Sequence, residues 1–189
     1  MKLLNIYNAV ERLGELQKVG ARQAITAIGL QPVQLEVLNY LASCNKYSDT
    51  PMAVTEYLGQ TKGTVSQTIK ALENKGMVEK IADKNDKRIS HVVVTPLGSK
   101  VLAESLPTQF FVNACNALSY EQQHKIEEAL TQLLTAIIQT NEIKTFGACH
   151  TCRYNHKQED GSYYCNLVKA PLTNAETLLI CKEHQHVES

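Results

Sequence analysis

Between Pro51 and Gly98 the chain is punctuated so closely that few folds can accommodate it. Thr61 stands before a segment in which Val65, Ile69 and Leu72 recur at i, i+4 and i+7, the spacing of one helical stripe. A threonine in that position caps a helix by accepting from the amide near Thr64. Upstream, residues 52–58 set Val54 and Leu58 on one face of a shorter helix, and Gly59-Gln60 allows only a tight turn between the two. Downstream, Gly76 is placed as a left-handed helix stop, with Met77 as the apolar residue that closes such caps. Two β-rich runs follow, 77–81 and 88–95, the second carrying Ile89, Val92, Val93 and Val94, with the polar loop 82–87 between them. Thr95-Pro96 then starts a further helix by cap and proline together.

The flanks read as helices with more apolar surface than one small core uses. Residues 3–19 place Ile6, Val10, Leu13 and Leu16 at helical spacing, and Gly20 and Gly29 bracket a short second helix. Pro32 opens another, with Leu35, Leu38, Leu41 and Ala42 inward, which fades into the polar loop 45–51. Pro107 interrupts or ends the helix begun at Thr95-Pro96. Ser119 and Gln122 form a capping box for a last long helix reaching about residue 140, with the stripe Ile126, Leu130, Leu133, Ile137 widened by Leu134 and Ile138. Such a face calls for a partner, and the expected one is the N-terminal helix of a second copy. No apolar run approaches the roughly 20 residues of a membrane span. The first residues lack a secretory h-region and meet Glu11 and Arg12 early, so a cytoplasmic protein without membrane contact is expected.

Helix, tight turn, helix and charged hairpin, in that order, make a winged helix-turn-helix, whose exposed second helix fits a DNA major groove. The net charge is zero and the pI about 7.0, so DNA binding has to rest on local charge. From Gln60 to His91 there are seven cations (Lys62, Lys70, Lys75, Lys80, Lys84, Lys87, Arg88) against four anions (Glu73, Glu79, Asp83, Asp86). Opposite the Val65 stripe lie Gly63, Gln67 and Lys70, flanked by Lys62, Thr64 and Ser66, all small, uncharged or cationic. Free amides at that helix's N-terminus suit a phosphate. In the hairpin, Lys84, Lys87 and Arg88 lie near the tip, where an arginine can enter the narrow minor groove, and Asp86 can hold Arg88 or tie the wing to the body.

These segments resemble the MarR family of transcriptional regulators. The resemblance lies in Gln31-Pro32-Val33-Gln34-Leu35-Glu36-Val37-Leu38, in Thr61-Lys62-Gly63-Thr64-Val65-Ser66, and in Leu72-Glu73-Asn74-Lys75-Gly76-Met77-Val78. Most specific is Asp83-Lys84-Asn85-Asp86-Lys87-Arg88 running into Val92-Val93-Val94-Thr95-Pro96-Leu97-Gly98, which is similar to that family's Asp-x-x-Asp-x-Arg wing. Gln60 and Thr55 depart from the usual apolar residue and alanine, and Pro107 breaks a helix often longer in relatives. Over residues 3–140 the resemblance implies a homodimer with intertwined terminal helices and two recognition helices on a palindromic operator in double-stranded DNA. It also implies Lys62, Gly63, Thr64, Ser66, Gln67 and Lys70 in the major groove, with Lys84, Lys87 and Arg88 serving the wing.

The last quarter has different chemistry. Cys149-His150-Thr151-Cys152, Cys165 and Cys181-Lys182-Glu183-His184 crowd four of the six cysteines into one segment. A Cys-x-x-Cys turn brings two thiolates within reach of one ion, and Cys165 and Cys181 complete a tetrahedral shell. His184 is a rival for one of those places, while His150 and His156 have no partner at useful spacing. Zinc is the expected metal and an iron–sulfur cluster the alternative, since four cysteines hold either. A tail this short and poor in aliphatics needs such a staple. Gly161 turns a hairpin between Tyr154 and Tyr163-Tyr164-Cys165, and 171–180 is expected as a short helix. The tail is expected against the dimerisation helices, because it follows directly on the last of them. Cys44 and Cys115 lie on apolar helical patterns and read as packing residues.

The expected architecture is mainly α with a small β-hairpin wing: a winged helix-turn-helix with N- and C-terminal dimerisation helices over 1–144, and a metal-stapled segment over 145–189. The expected function is a dimeric, sequence-specific transcriptional regulator, a repressor, with DNA affinity set by a small-molecule or redox effector. The alternative is a metal-stapled interaction module that uses the winged helix for protein contacts. No nucleophile–base motif, phosphate loop or deaminase-type zinc signature is present, so no enzyme is expected.

Overall fold

The computed structural model describes residues 2–84 and 86–186. Helix α1 (Lys2–Ile25) runs through Gly20 instead of stopping there. The reason is steric, since a Cβ at Gly20 would lie 3.0 Å from Thr108 Oγ1 and 3.4 Å from Phe110 Cβ. The glycine marks a close approach of two chain segments. What was expected as a separate helix between Gly20 and Gly29 is the end of α1 followed by a 3-10 turn, Thr26–Ile28, closed by Gly29 at φ 68°.

Helix α2 (Pro32–Ser43) is the centre of the molecule and packs against α1, α3 (Pro51–Leu58), α4 (Lys62–Asn74) and α5 (Pro96–Ser105). Enclosure on several sides buries Val37 and Tyr40 as well as Leu35, Leu38 and Leu41, whereas Ala42, expected inward, is exposed. From α3 and α4 the core takes Ala53, Val54, Val65, Ile69 and Leu72, all at 1% exposure or less. The capping signals act as the sequence predicts. Thr61 Oγ1 accepts from the Thr64 amide at 3.1 Å, and Gly76, at φ 68°, lets Met77 N–H reach the Leu72 carbonyl at 3.0 Å.

Strands β1 (Val78–Ala82) and β2 (Ser90–Val94) form the antiparallel wing, with Val78 opposite Val94 and Ala82 opposite Ser90. At its base α5 starts so close that a Cβ at Gly98 would overlap the Met77 carbonyl oxygen. The helix ends at Ser105, just before Pro107. A helix missed in the sequence follows, α6 (Gln109–Asn116), capped by Thr108. Then α7 (Tyr120–Thr140) begins at the predicted capping box of Ser119 and Gln122. Neither α6 nor α7 buries a residue within the chain. Ile126, Leu130, Leu134 and Ile137 of α7 stay exposed, as do Phe110 and Phe111 of α6 and Leu3, Ile6, Val10 and Leu13 of α1. Among the described residues no helix is long and apolar enough to cross a membrane.

The C-terminal segment is mostly short strands. β3 (Gly147–Ala148) pairs with β7 (Ile180–Cys181), and β4 (Asn155–Lys157), β5 (Tyr163–Cys165) and β6 (Ala170–Leu172) form an antiparallel sheet. Gly161, at φ 83°, turns the predicted hairpin. Of the helix expected over 171–180 only α8 (Asn174–Thr177) forms, because Pro171 and its neighbours are taken up by β6. The segment makes contacts with the loop between α2 and α3. Asn45 N–H donates to the Ile180 carbonyl at 2.9 Å, and Lys182 N–H donates to Ser48 Oγ at 2.9 Å. Phe146 enters an aromatic corner, its ring centroid 5.3 Å from Tyr57 and 6.2 Å from Tyr40.

Candidate nucleic-acid interface and cysteine cluster

Because α4 buries Val65, Thr68, Ile69 and Leu72, its other side is fixed outward. Lys62, Gly63, Ser66, Gln67 and Lys70 are exposed there and Thr64 is half-buried. The structure thus brings the six predicted groove residues to one helical surface. Thr64 is the least available of them, since its hydroxyl shares a 2.9 Å hydrogen bond with that of Thr61. The surface carries no acidic residue until Glu73, which is drawn sideways to Lys80 at 3.2 Å. Lys75 is likewise occupied, donating to the Gly29 carbonyl at 3.0 Å. Of the local cations, Lys62 and Lys70 remain to project from α4.

On the wing, Lys84, Lys87 and Arg88 are exposed. The Arg88 side chain is 90% exposed yet ordered, because Asp86 takes its guanidinium in a two-pronged pair, Nε–Oδ1 at 2.9 Å and Nη2–Oδ2 at 2.8 Å. Hydrogen bonds from the Arg88 side chain and backbone hold the Asp86 carboxyl below the ordinary aspartate range. Asp83 Oδ1 accepts the Asp86 amide at 2.8 Å, so the two aspartates of the wing motif build one turn that aims the arginine. Asn85 lies outside the described residues.

Sequence reading missed what stands behind the wing. His91 of β2 bridges two carboxylates, with Nδ1 on Asp49 and Nε2 on Asp83 Oδ2 at 3.1 Å. The Asp49 hydrogen bond raises the His91 pKa above its ordinary value, while burial raises that of Asp49. Asp49 belongs to the loop expected as plain polar surface, yet Asn45 and Ser48 in that loop are buried. No local signal marks them, since their burial comes from the C-terminal segment lying over the loop.

All six cysteines are free thiols. Cys149 and Cys152 sit on one turn closed by Cys152 N–H to the Cys149 carbonyl at 3.1 Å, and His184 N–H closes a matching turn on Cys181 at 3.2 Å. The β3–β7 ladder sets these turns side by side, and the β4–β5 ladder brings Cys165 across from Asn155. Burial, then the nearby thiols of Cys152, Cys165 and Cys181, push the Cys149 pKa up to about 11. Among the described residues no three His, Cys, Asp or Glu side chains already stand as a metal-holding group, so the thiols are neighbours without forming a closed shell.

His184 is engaged elsewhere. It is 4% exposed, its ring nitrogens lie 2.8 Å from the hydroxyls of Thr145 and Thr151, and its ring rests against Gly147. Its expected rivalry for a metal position finds no free ring nitrogen. His150 and His156 do not join the thiols either, since His150 turns to the Thr177 carbonyl at 3.2 Å and His156 lies in β4 opposite Tyr164. Cys44 is buried at the end of α2, as expected of a packing residue, whereas Cys115 is only half-buried.

Known structures share this architecture. A MarR transcriptional regulator from Methanosarcina mazei aligns with a TM-score of 0.62 at 20% identity, covering 71% of this chain and 97% of that one. The fold is a MarR-type winged helix. The MepR–DNA complex of S. aureus has a TM-score of 0.57 at 22% identity, over 69% of this chain and 96% of that one. Residues 28–89, from the turn before α2 to the wing, match the model of the MarR family. The transcriptional repressor MprA of Escherichia coli (strain K12) is 26% identical over 120 residues, 62% of this chain and 68% of the relative. The MarR-type match spans nearly all of each solved neighbour and leaves much of this chain outside it.

Proposed function

We propose that this protein is a MarR-type transcriptional repressor that binds a palindromic operator in double-stranded DNA as a homodimer. The observation that carries this is the exposed face of α4, free of acidic side chains from Lys62 to Lys70 and flanked by a wing with an aimed arginine. Lys62, Gly63, Thr64, Ser66, Gln67 and Lys70 serve the major groove, and Lys84, Lys87 and Arg88 the adjacent backbone or minor groove. The apolar faces of α1, α6 and α7 are the dimer surface, and a two-fold axis through them duplicates α4 for the two half-sites. The protein acts in the cytoplasm, with residues 1–144 as the regulator proper and 145–189 as its metal-binding addition. A cleft of about 620 Å³ between α1, α2 and the α5–α6 turn, lined by Leu35, Leu106 and Phe111 beside Lys18 and Glu36, is the seat for a small-molecule effector.

In the same proposal Cys149, Cys152, Cys165 and Cys181 bind zinc, with an iron–sulfur cluster as the alternative. Three features support this set: the paired turns, the mutual nearness of the thiols, and an unsatisfied buried oxygen, Asn155 Oδ1, across the ladder from Cys165. Turned about its last torsion, that amide offers thiolate sulfur an N–H donor, the kind of supporting contact metal ligands use. The C-terminal segment buries little else beyond Leu172, Thr177 and His184, so a bound metal supplies the cohesion its core lacks. The deciding experiment is a gel shift against fragments from the protein's own locus, together with metal content and a visible spectrum of anaerobically purified protein. A retarded band with a salt-sensitive affinity supports the regulator, and its absence on every fragment gives the winged helix to protein contacts instead. One zinc per chain without colour supports the staple, whereas iron, sulfide and a brown chromophore identify the cluster.

A further inference from the structure

We propose that residues 144–146 form a strap that fastens the end of α7 to the helix-turn-helix, and that Phe146 thereby fixes the half-site spacing at which the dimer binds DNA. The proposal rests on the dimeric regulator reading above and requires nothing at the cysteines. It begins with how little chain is free between helix and strap. α7 ends at Thr140, where Asn141 Nδ2 donates to the Ile137 carbonyl at 2.8 Å, and Ile143 N–H still donates to the Ile138 carbonyl at 3.1 Å. The next residue, Lys144, already lies on α3, its Nζ 2.6 Å from Glu56 Oε2. Phe146 then packs against the core in the corner made by Tyr40 of α2 and Tyr57 of α3. Its φ of 42° is one a phenylalanine rarely adopts, and such a conformation persists where the surroundings enforce it.

The strap is also held from behind. Thr145 Oγ1 donates to the His184 carbonyl at 2.6 Å, and a Cβ at Gly147 would overlap the His184 ring, so the chain after Phe146 has no room to slide. Ile180, paired with Ala148 across the β3–β7 ladder, packs against the same core, and its carbonyl accepts the Asn45 amide at 2.9 Å. Lys144 with Glu56 is an exposed pair that holds weakly, which leaves the apolar contact of Phe146 as the decisive anchor. Its position gives it leverage. Helix α1 lies along Pro32 to Asn39 of α2, whereas the strap grips the last turn of α2 and α3. Held by α1 alone, the helix-turn-helix can turn about that one line of contact; tied to α7 as well, it cannot. A helix of 21 residues, such as α7, is about 30 Å long. Over that length a swing of roughly 10° displaces the far end by about 5 Å, more than the ~3.4 Å of one base pair. The strap therefore decides whether the two copies of α4 reach half-sites at one spacing or at several.

The test uses the full chain and a DNA duplex selected by the wild-type protein from a randomised pool, remade with its half-sites one and two base pairs closer and farther apart. Affinity at each spacing is measured by fluorescence anisotropy for wild type, for Phe146→Ala, and for a chain with Gly-Gly inserted between Glu142 and Ile143. Both flanking residues are exposed, so the insertion lengthens the link without touching the packing and stays decisive if Phe146→Ala fails to fold. For a shift of one base pair the wild type is expected to lose roughly tenfold or more affinity, the scale of one lost base contact, and the variants about threefold or less. Light scattering should show all three as dimers. A variant damaged only in its fold weakens equally at every spacing; that pattern, or a spacing preference as steep as in wild type, overturns the strap. So does a wild type indifferent to spacing. A wild-type chain that stays monomeric, or that selects no duplex, overturns the dimeric regulator reading and the strap with it.

Discussion

Replacing Arg88 by alanine isolates the wing contact, and the structure sets the size of the effect. Its side chain is 90% exposed and pairs at the surface with Asp86, so truncation should leave thermal stability unchanged. Any loss of DNA affinity then belongs to the interface. An arginine contact to phosphate or to the minor groove releases about 0.9 counterions per site, and two wings in a dimer make the salt slope shallower by about 1.8. Between 50 and 200 mM salt the wild type should accordingly lose about twelve times more affinity than Arg88→Ala. At low salt the variant dimer should already bind roughly 30-fold or more weakly, given roughly 1–3 kcal/mol for each of its two arginine contacts. Fluorescence anisotropy across a salt series, with melting curves as a folding control, measures both quantities. An unchanged slope with unchanged stability would refute the wing assignment, however the affinity itself moved.

Three further outcomes follow from specific contacts. Gly20→Val should destabilise the fold by about 1–3 kcal/mol, because the new side chain meets Thr108 Oγ1 and Phe110 and overpacks the α1–α6 crossing; a melting temperature equal to wild type would contradict it. Leu130→Glu, on the outer face of α7, should yield monomers by light scattering and weaken operator binding together with dimerisation; a dimer of unchanged mass would remove α7 from the interface. The His91 imidazole, raised chiefly by its hydrogen bond to Asp49 and further by Asp83, should titrate above its ordinary value of about 6.5 in an NMR experiment. Its contribution to wing stability is complete below that value and fades as pH rises through the folded pKa. On the acid side Asp49, whose carboxyl is raised by burial, protonates earlier than an ordinary aspartate and gives up the pair. An imidazole titrating at or below 6.5 would show that the bridge does not hold in solution.

The winged helix was legible residue by residue because its determinants are local. Thr61, Gly76, Thr95 and the Ser119–Gln122 box act within one turn of the chain, and the Val65-Ile69-Leu72 stripe records a period the helix must obey. Errors arose where a residue's meaning depended on a distant neighbour. Gly20 looked like a stop and is a contact point for Thr108 and Phe110, and Ala42 followed the period of α2 yet points outward. Helix α6 went unseen behind Pro107, although Thr108 carried the capping signal.

The amino-acid sequence by itself determined the order of elements, the groove-facing side of α4, the wing cations and the gathering of four cysteines in one segment. These follow from spacing, capping and composition, which act over a few residues and need no knowledge of the rest of the chain. Only the tertiary structure decided that the cysteine segment lies on the α2–α3 loop, that Asn45 and Ser48 are buried beneath it, and that Asp49 and His91 carry the contact to the wing. Those pairings join residues more than 40 positions apart in the case of Asp49 with His91, and more than 130 in that of Ser48 with Lys182. No local period records such a pairing, because hydrogen bonds of this kind are chosen by the packing that brings the two segments together.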